Sequence, residues 1–100
     1  MKAAVLLPLW LLCAPALAQD MVVARSLAAT CAGCHGTDGR PRNAAIPPLA
    51  GMPADAMRAA LADYRRGTRP GTVMPQIVKG YTEEQLRLVA AYFATQAGRP

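Results

Sequence analysis

Apolar residues recur at helical spacing in three stretches of this chain, and segments rich in glycine and proline separate them. From about Asp20 to Cys31, Val23, Leu27 and Thr30 fall at helical spacing, with Asp20 beside the positive end. From about Pro53 to Arg66, Met57, Ala60, Leu61 and Tyr64 form one stripe. Pro53 suits a first turn, Asp55 complements the dipole, and Gly67 is placed to end the helix. The third stretch is the most clearly marked. Thr82-Glu83-Glu84-Gln85 reads as a capping box, with Thr82 at the N-cap and Gln85 three residues on. Leu86, Val89, Ala90 and Phe93 then make a buried stripe that Leu88 and Tyr92 widen, and Gly98 ends it. No segment reads as rich in strand. The pattern predicts an all-α domain of about three helices joined by two loops, Gly36 to Gly51 and Gly67 to Gly80. Loops this long in so small a domain call for a reason.

The first residues follow a different pattern. Met1-Lys2 gives a charged start, and Ala3 to Leu12 is an apolar run interrupted only by Pro8. Pro15 is expected to break a helix, and Ala16-Leu17-Ala18 is a small-x-small cleavage site before Gln19. The reading is an export signal over 1–18 and one domain over 19–100. The apolar run is too short to span a bilayer, which takes about 20 residues, so no stable membrane span is expected. A retained anchor is the alternative. A lipoprotein reading through Cys13 is disfavoured by the bulky Leu12 before it. Cleavage after Ala18 removes Cys13 and leaves two cysteines, Cys31 and Cys34.

Those two cysteines lie in Cys31-Ala32-Gly33-Cys34-His35, a C-x-x-C-H pentad, which reads as a covalent attachment site for c-type haem. The two thiols add to the haem vinyl groups as thioethers, and the adjacent His35 ligates the iron. Gly33 is expected to keep the turn between the sulfurs free of a bulky side chain. A structural zinc site wants about four N/S ligands. Cys31, Cys34 and His35 give three, and His35 is the only histidine. A thiol oxidoreductase would need a βαβ context that is missing from the pattern. One covalent haem c therefore leads. It also explains the long loops, which would wrap it, and it supplies apolar bulk to a chain too short to bury a large core. Attachment of such a haem takes place outside the cytoplasm in bacteria, in agreement with an exported, periplasmic protein.

Iron bound to His35 has a sixth position. Met21, Met52, Met57 and Met74 are the candidates, or no residue at all. Met21 precedes the pentad on the first helix, Met57 belongs to the apolar stripe of the second, and Met52 opens that helix. Met74 is favoured because it lies mid-loop in Val73-Met74-Pro75, where proline stiffens the backbone. A thioether there would favour ferrous iron and raise the reduction potential.

With pentad, loops and Met-Pro together, nearly the whole domain resembles a class I cytochrome c. The resemblance implies a small cytochrome c fold with its first and last helices crossed. Ala24 and Ala28 would then meet Leu88, Tyr92 or Phe93. It also implies that Pro47, in Pro47-Pro48-Leu49-Ala50-Gly51, offers its carbonyl to the other ring nitrogen of His35. Cys31 to Gly39 together with Met74 to Leu86 are similar to cytochrome subunits of flavocytochrome c sulfide dehydrogenase. That similarity implies redox protein partners: a flavoprotein sulfide dehydrogenase subunit and a downstream acceptor.

Charge changes the picture only slightly. The full chain carries a formal +5, and loss of Lys2 with the leader leaves ten Lys+Arg against six Asp+Glu. Two haem propionates would halve that surplus. It is too weak for nucleic acid but permits steering toward an acidic protein. Arg65, Arg66, Arg69 and Lys79, which flank Met74, are the candidate docking patch. The expected activity is single-electron transfer without substrate chemistry. A haem enzyme or gas sensor with an open sixth site is the alternative, but it has no second histidine to serve as acid or base.

Overall fold

A computed structural model describes residues 3–5 and 13–97, side chains of 13–16 excepted. Most of the leader, Gly98 and Pro100 lie outside the described residues. Among those described, the chain is all helical. Helix α1 spans Cys13–Ala28 and runs into a 3-10 turn, Ala29–Cys31. Helix α2 is one turn, Ala32–His35, followed by a second 3-10 turn, Thr37–Gly39. Helices α3 (Ala54–Arg66), α4 (Met74–Val78) and α5 (Glu83–Thr95) complete the fold.

The three expected helices are present, with differences that have physical causes. Helix α1 begins well before Asp20 and passes through Pro15. Pro15 therefore does not break the helix within the described residues. The last turn before Cys31 tightens to 3-10 geometry. Helix α3 starts after Pro53 at the N-cap and ends at Gly67, whose left-handed backbone (φ 76°) lets its N–H reach the Tyr64 carbonyl. Helix α5 opens on the capping box. Gln85 N donates to Thr82 Oγ1 at 3.1 Å, and Thr82 N donates to Gln85 Oε1 at 2.9 Å. It closes at Thr95, before Gly98 is reached. The segment Gly67 to Gly80 is not all loop, since Met74–Val78 forms the short helix α4 with Pro75 in its first turn.

Helix α5 is the common partner of α1 and α3, and α4 rests on α3. The α1–α5 crossing is close because its residues are small. Ala24 and Ala28, one turn apart on α1, are buried in one cluster with Val89, Ala90, Tyr92 and Phe93 of α5 and Met57 of α3. Tyr92 and Phe93 meet edge to face, 5.4 Å between centroids. Phe93 and Val78 are the largest side chains buried to below 2% exposure among the described residues. So the protein's own core is small. Leu27, Leu49, Met52, Leu61 and Leu88 pack against it but remain only partly covered.

A larger side chain at the crossing has nowhere to go. Ala28→Leu in the haem-loaded protein is expected to cost about 1–3 kcal/mol, measured by chemical denaturation. An exposed control, Ala59→Leu on α3, is expected to change stability little.

Candidate functional site

The pentad occupies the end of the 3-10 turn and all of α2, so its chemistry sits on a continuous helical turn fed by α1. Both thiols are free. Cys31 is half-buried against the core cluster and Cys34 is exposed. Burial pushes the Cys31 thiol above its ordinary value, with a hydrogen bond to Thr30 acting in the opposite direction.

His35 is pinned. Its Nδ1 lies 2.9 Å from the carbonyl oxygen of Pro47. A carbonyl can only accept, so Nδ1 carries the proton and donates. That leaves Nε2 as the nitrogen with a free lone pair. The contact spans the first loop, and the loop is built to hold it. Leu49 N and Ala50 N both donate to the Gly39 carbonyl, at 2.9 and 3.1 Å, and Gly51 N donates to Phe93 O at 2.9 Å. The loop is thus tied at one end to the residues just after the pentad and at the other to α5.

A second tie runs from the same place. Tyr92 of α5 donates its hydroxyl to Asp38 Oδ1 at 2.5 Å. Asp38 sits in the left-handed region (φ 55°), which aspartate tolerates better than most residues. Arg40 donates to the Ala97 carbonyl at 2.5 Å. Sequence reasoning missed this clamp, because neither Asp38 nor Arg40 carried a local signal of a partner so far along the chain. It also passed over a glycine. A Cβ on Gly36 would lie 2.0 Å from the Arg40 carbonyl oxygen, and Gly36 has φ +80°. The chain turns sharply after His35, and that turn requires glycine.

Met74 is the first residue of α4, half-buried and one turn from the fully buried Val78 on the same face. The other methionines are differently occupied. Met57 is in the core, Met52 packs against it, and Met21 is 44% exposed on α1.

The basic patch is weaker than its sequence suggests. Arg65 donates Nη2 to the carbonyls of Val78, at 3.1 Å, and Tyr81. Arg66 pairs with Asp63 at 2.5 Å, and Arg69 stacks over Tyr64, 5.3 Å from the ring centroid. Lys79 is exposed.

The donor set fits a covalent haem: two free thiols at C-x-x-C spacing, one imidazole with its outer nitrogen tethered, and partly covered apolar side chains alongside. Zinc does not fit, because among the described residues no three His, Cys, Asp or Glu side chains converge. No described helix is long and apolar enough to cross a membrane.

Tyr92 gives a pH test. Its hydrogen bond to Asp38, with lesser burial, raises its pKa above the ordinary value. The folded state therefore holds the phenol proton more tightly than the unfolded state. The stabilisation is complete below the ordinary phenol pKa of about 10. It is lost as pH rises through the folded value. Tyr92→Phe is expected to be less stable than the parent at neutral pH. The gap should narrow as pH rises above about 10, read from denaturation midpoints over a pH series.

The Cytochrome c family matches residues 23–97. Among curated proteins, the chain is 45% identical over 67 residues to a cytochrome subunit of sulfide dehydrogenase from Chlorobaculum tepidum, covering 67% of this chain and 60% of that one. It is 39% identical over 67 residues to a thiosulfate dehydrogenase electron acceptor from Stutzerimonas stutzeri, covering 64% of this chain and 31% of that one. It is 32% identical over 82 residues to cytochrome c-554(548) from Halomonas halodenitrificans, covering 79% of this chain and 99% of that one. The first two matches thus span less than two thirds of those relatives. The family match, over a fold with the pentad on its helical turn, implies one covalently bound haem c. The chain belongs to the cytochrome c family.

Proposed function

We propose that this protein is an exported, periplasmic single-electron carrier whose iron is held by His35 and Met74, with Cys31 and Cys34 as the two thioether attachments. The observation that carries the reading is the His35–Pro47 hydrogen bond, which commits Nδ1 as donor and leaves Nε2 available beside the two thiols. A carbonyl partner also raises the basicity of the imidazole as a ligand. Haem c, when bound, supplies reversible one-electron exchange between ferric and ferrous iron. The residues of the chain fix the ligand ring, keep the thiols at their spacing and shield the apolar surface.

Support for Met74 comes from elimination and from placement. Met57 and Met52 are engaged in the core, and Met21 is on the exposed side of the helix that precedes the pentad. Met74 stands apart from the core cluster, shares a face with Val78, and has Pro75 stiffening its turn. Support for export comes from the charged start, the apolar run and Ala16-Leu17-Ala18, with residues 17–20 exposed in the middle of α1. The relatives named as a dehydrogenase subunit and an electron acceptor support the same place for this chain. It would accept electrons from a dehydrogenase such as a flavin-containing sulfide dehydrogenase and pass them to a downstream acceptor.

A denaturing gel stained for haem tests attachment. Protein made in cells that mature c-type cytochromes should stain. Replacing Cys31 and Cys34 together by serine should abolish the stain and leave little folded protein, because the core of the chain is small. An unstained parent band would overturn the reading.

Ligation is tested by three truncations. Met74→Ala should remove the weak long-wavelength sulfur-to-iron band, lower the reduction potential and admit carbon monoxide to the ferrous protein. Met57→Ala should leave all three unchanged and cost about 2–5 kcal/mol of stability as a core truncation. Loss of the band in Met52→Ala instead would assign Met52 as the ligand.

A further inference from the structure

Helix α4 has only five residues, too few to be stable by its own hydrogen bonds. Its register must be set from outside. Val78 supplies one anchor, being fully buried at the end of the helix. Arg65 supplies another. From the last turn of α3, its Nη2 donates to the Val78 carbonyl, which ends α4, and to the Tyr81 carbonyl in the turn that follows. Tyr81 N also donates to Val78 O at 3.2 Å, so the two carbonyls and the guanidinium close a compact knot.

Tyr81 extends this knot to the pentad. Its hydroxyl is hydrogen-bonded to Thr30 Oγ1, and Thr30 Oγ1 in turn donates to the Leu27 carbonyl at 3.0 Å. With its one proton committed to Leu27, Thr30 accepts from Tyr81. Thr30 immediately precedes Cys31. A continuous polar chain therefore runs from α3 through the end of α4 to the residue that leads into the attachment motif.

We propose that Arg65 and Tyr81 are positioning residues: together they strap the Met74 helix to the end of α1 and so hold the methionine sulfur against the iron. This rests on the reading of Met74 as sixth ligand. Neither residue touches the iron. They act by setting where α4 sits relative to the pentad. An iron–thioether bond is weak enough for such a tie to decide how often it opens. Arg65 is thereby less available to a docking face, since its Nη2 is turned inward to two backbone carbonyls.

The test uses the haem-loaded protein and its variants. Tyr81→Phe removes only the hydroxyl and keeps the ring. Arg65→Gln removes the guanidinium. In each, haem staining should persist, while the long-wavelength sulfur-to-iron band weakens. Carbon monoxide association with the ferrous protein should quicken about threefold to tenfold, the population change that one net hydrogen bond controls. Thr30→Val should match Tyr81→Phe, and the double variant should be no faster than either alone, because both remove the same bond. Melting temperatures measured alongside separate a positioning role from a merely structural one. A lowered melting temperature with parental band and parental association rate in Tyr81→Phe would overturn the strap. If Arg65→Gln yields no holoprotein, Tyr81→Phe and Thr30→Val decide alone. Met74→Ala is run as the reference. If it leaves the band intact, the ligand reading fails and the strap falls with it. If it removes the band while the strap variants behave as the parent, only the strap fails.

Discussion

A chain with one histidine has one chance to present an imidazole correctly, and the hydrogen bond from His35 Nδ1 to the Pro47 carbonyl is what fixes that presentation. It settles the tautomer, because a carbonyl offers no proton. It also settles the ring's rotation, because the acceptor is a backbone atom in a loop that is itself bonded at both ends. The two consecutive prolines suit that position. Each has a fixed φ and no N–H, so Pro47-Pro48 is stiff and makes no donor demands. The amides that follow, Leu49, Ala50 and Gly51, find carbonyls on Gly39 and Phe93. The long loop is therefore a bracket for one carbonyl oxygen.

That bracket depends on α5. The helix packs against α1 and α3, gives Phe93 O to Gly51 and the Tyr92 hydroxyl to Asp38, and has the Ala97 carbonyl just beyond its end accepting from Arg40. With so few large side chains fully buried, apolar packing alone could not give the pentad a unique placement. The polar ties supply direction where the core supplies only cohesion. Such bonds are individually modest, about 0.5–1.5 kcal/mol net, but their geometry is specific.

Much of this was legible in the chain. The capping box and apolar stripe of α5 are local patterns, and both appear as expected. The pentad is local too, and Ala24 and Ala28 meet α5 as the family resemblance implied. What was illegible is non-local or short. Helix α4 has too few residues to show a period. Arg65 read as part of a docking patch beside Met74, since nothing in a sequence announces that two distant backbone carbonyls will claim a guanidinium. Gly36 was passed over because the clash it avoids is with Arg40, four residues away across a turn. Pro15 misled because a proline reads as a break in the sequence, whereas α1 runs through it.

The two polar ties around the pentad share a design and differ in stiffness. One leaves from Thr30, just before Cys31, and the other from Asp38, just after His35, and each ends on a tyrosine hydroxyl. Tyr81 and Tyr92 lie about three helical turns apart in sequence, so a single length of chain brackets the motif from both sides. A tyrosine suits this task because its ring packs while its hydroxyl reaches a polar partner. Tyr92 is buried among Ala24, Ala28 and Phe93 and cannot move without disturbing the core. Tyr81 is half-buried in a turn and is held chiefly by Arg65 and Thr30. The segment that follows His35 is thus secured by the core itself, whereas the end of α4 is secured by hydrogen bonds that open at lower cost. With the iron held as proposed above, the firmer side would limit rearrangement as charge changes, and the weaker side would leave the reduction potential adjustable by small changes in the chain.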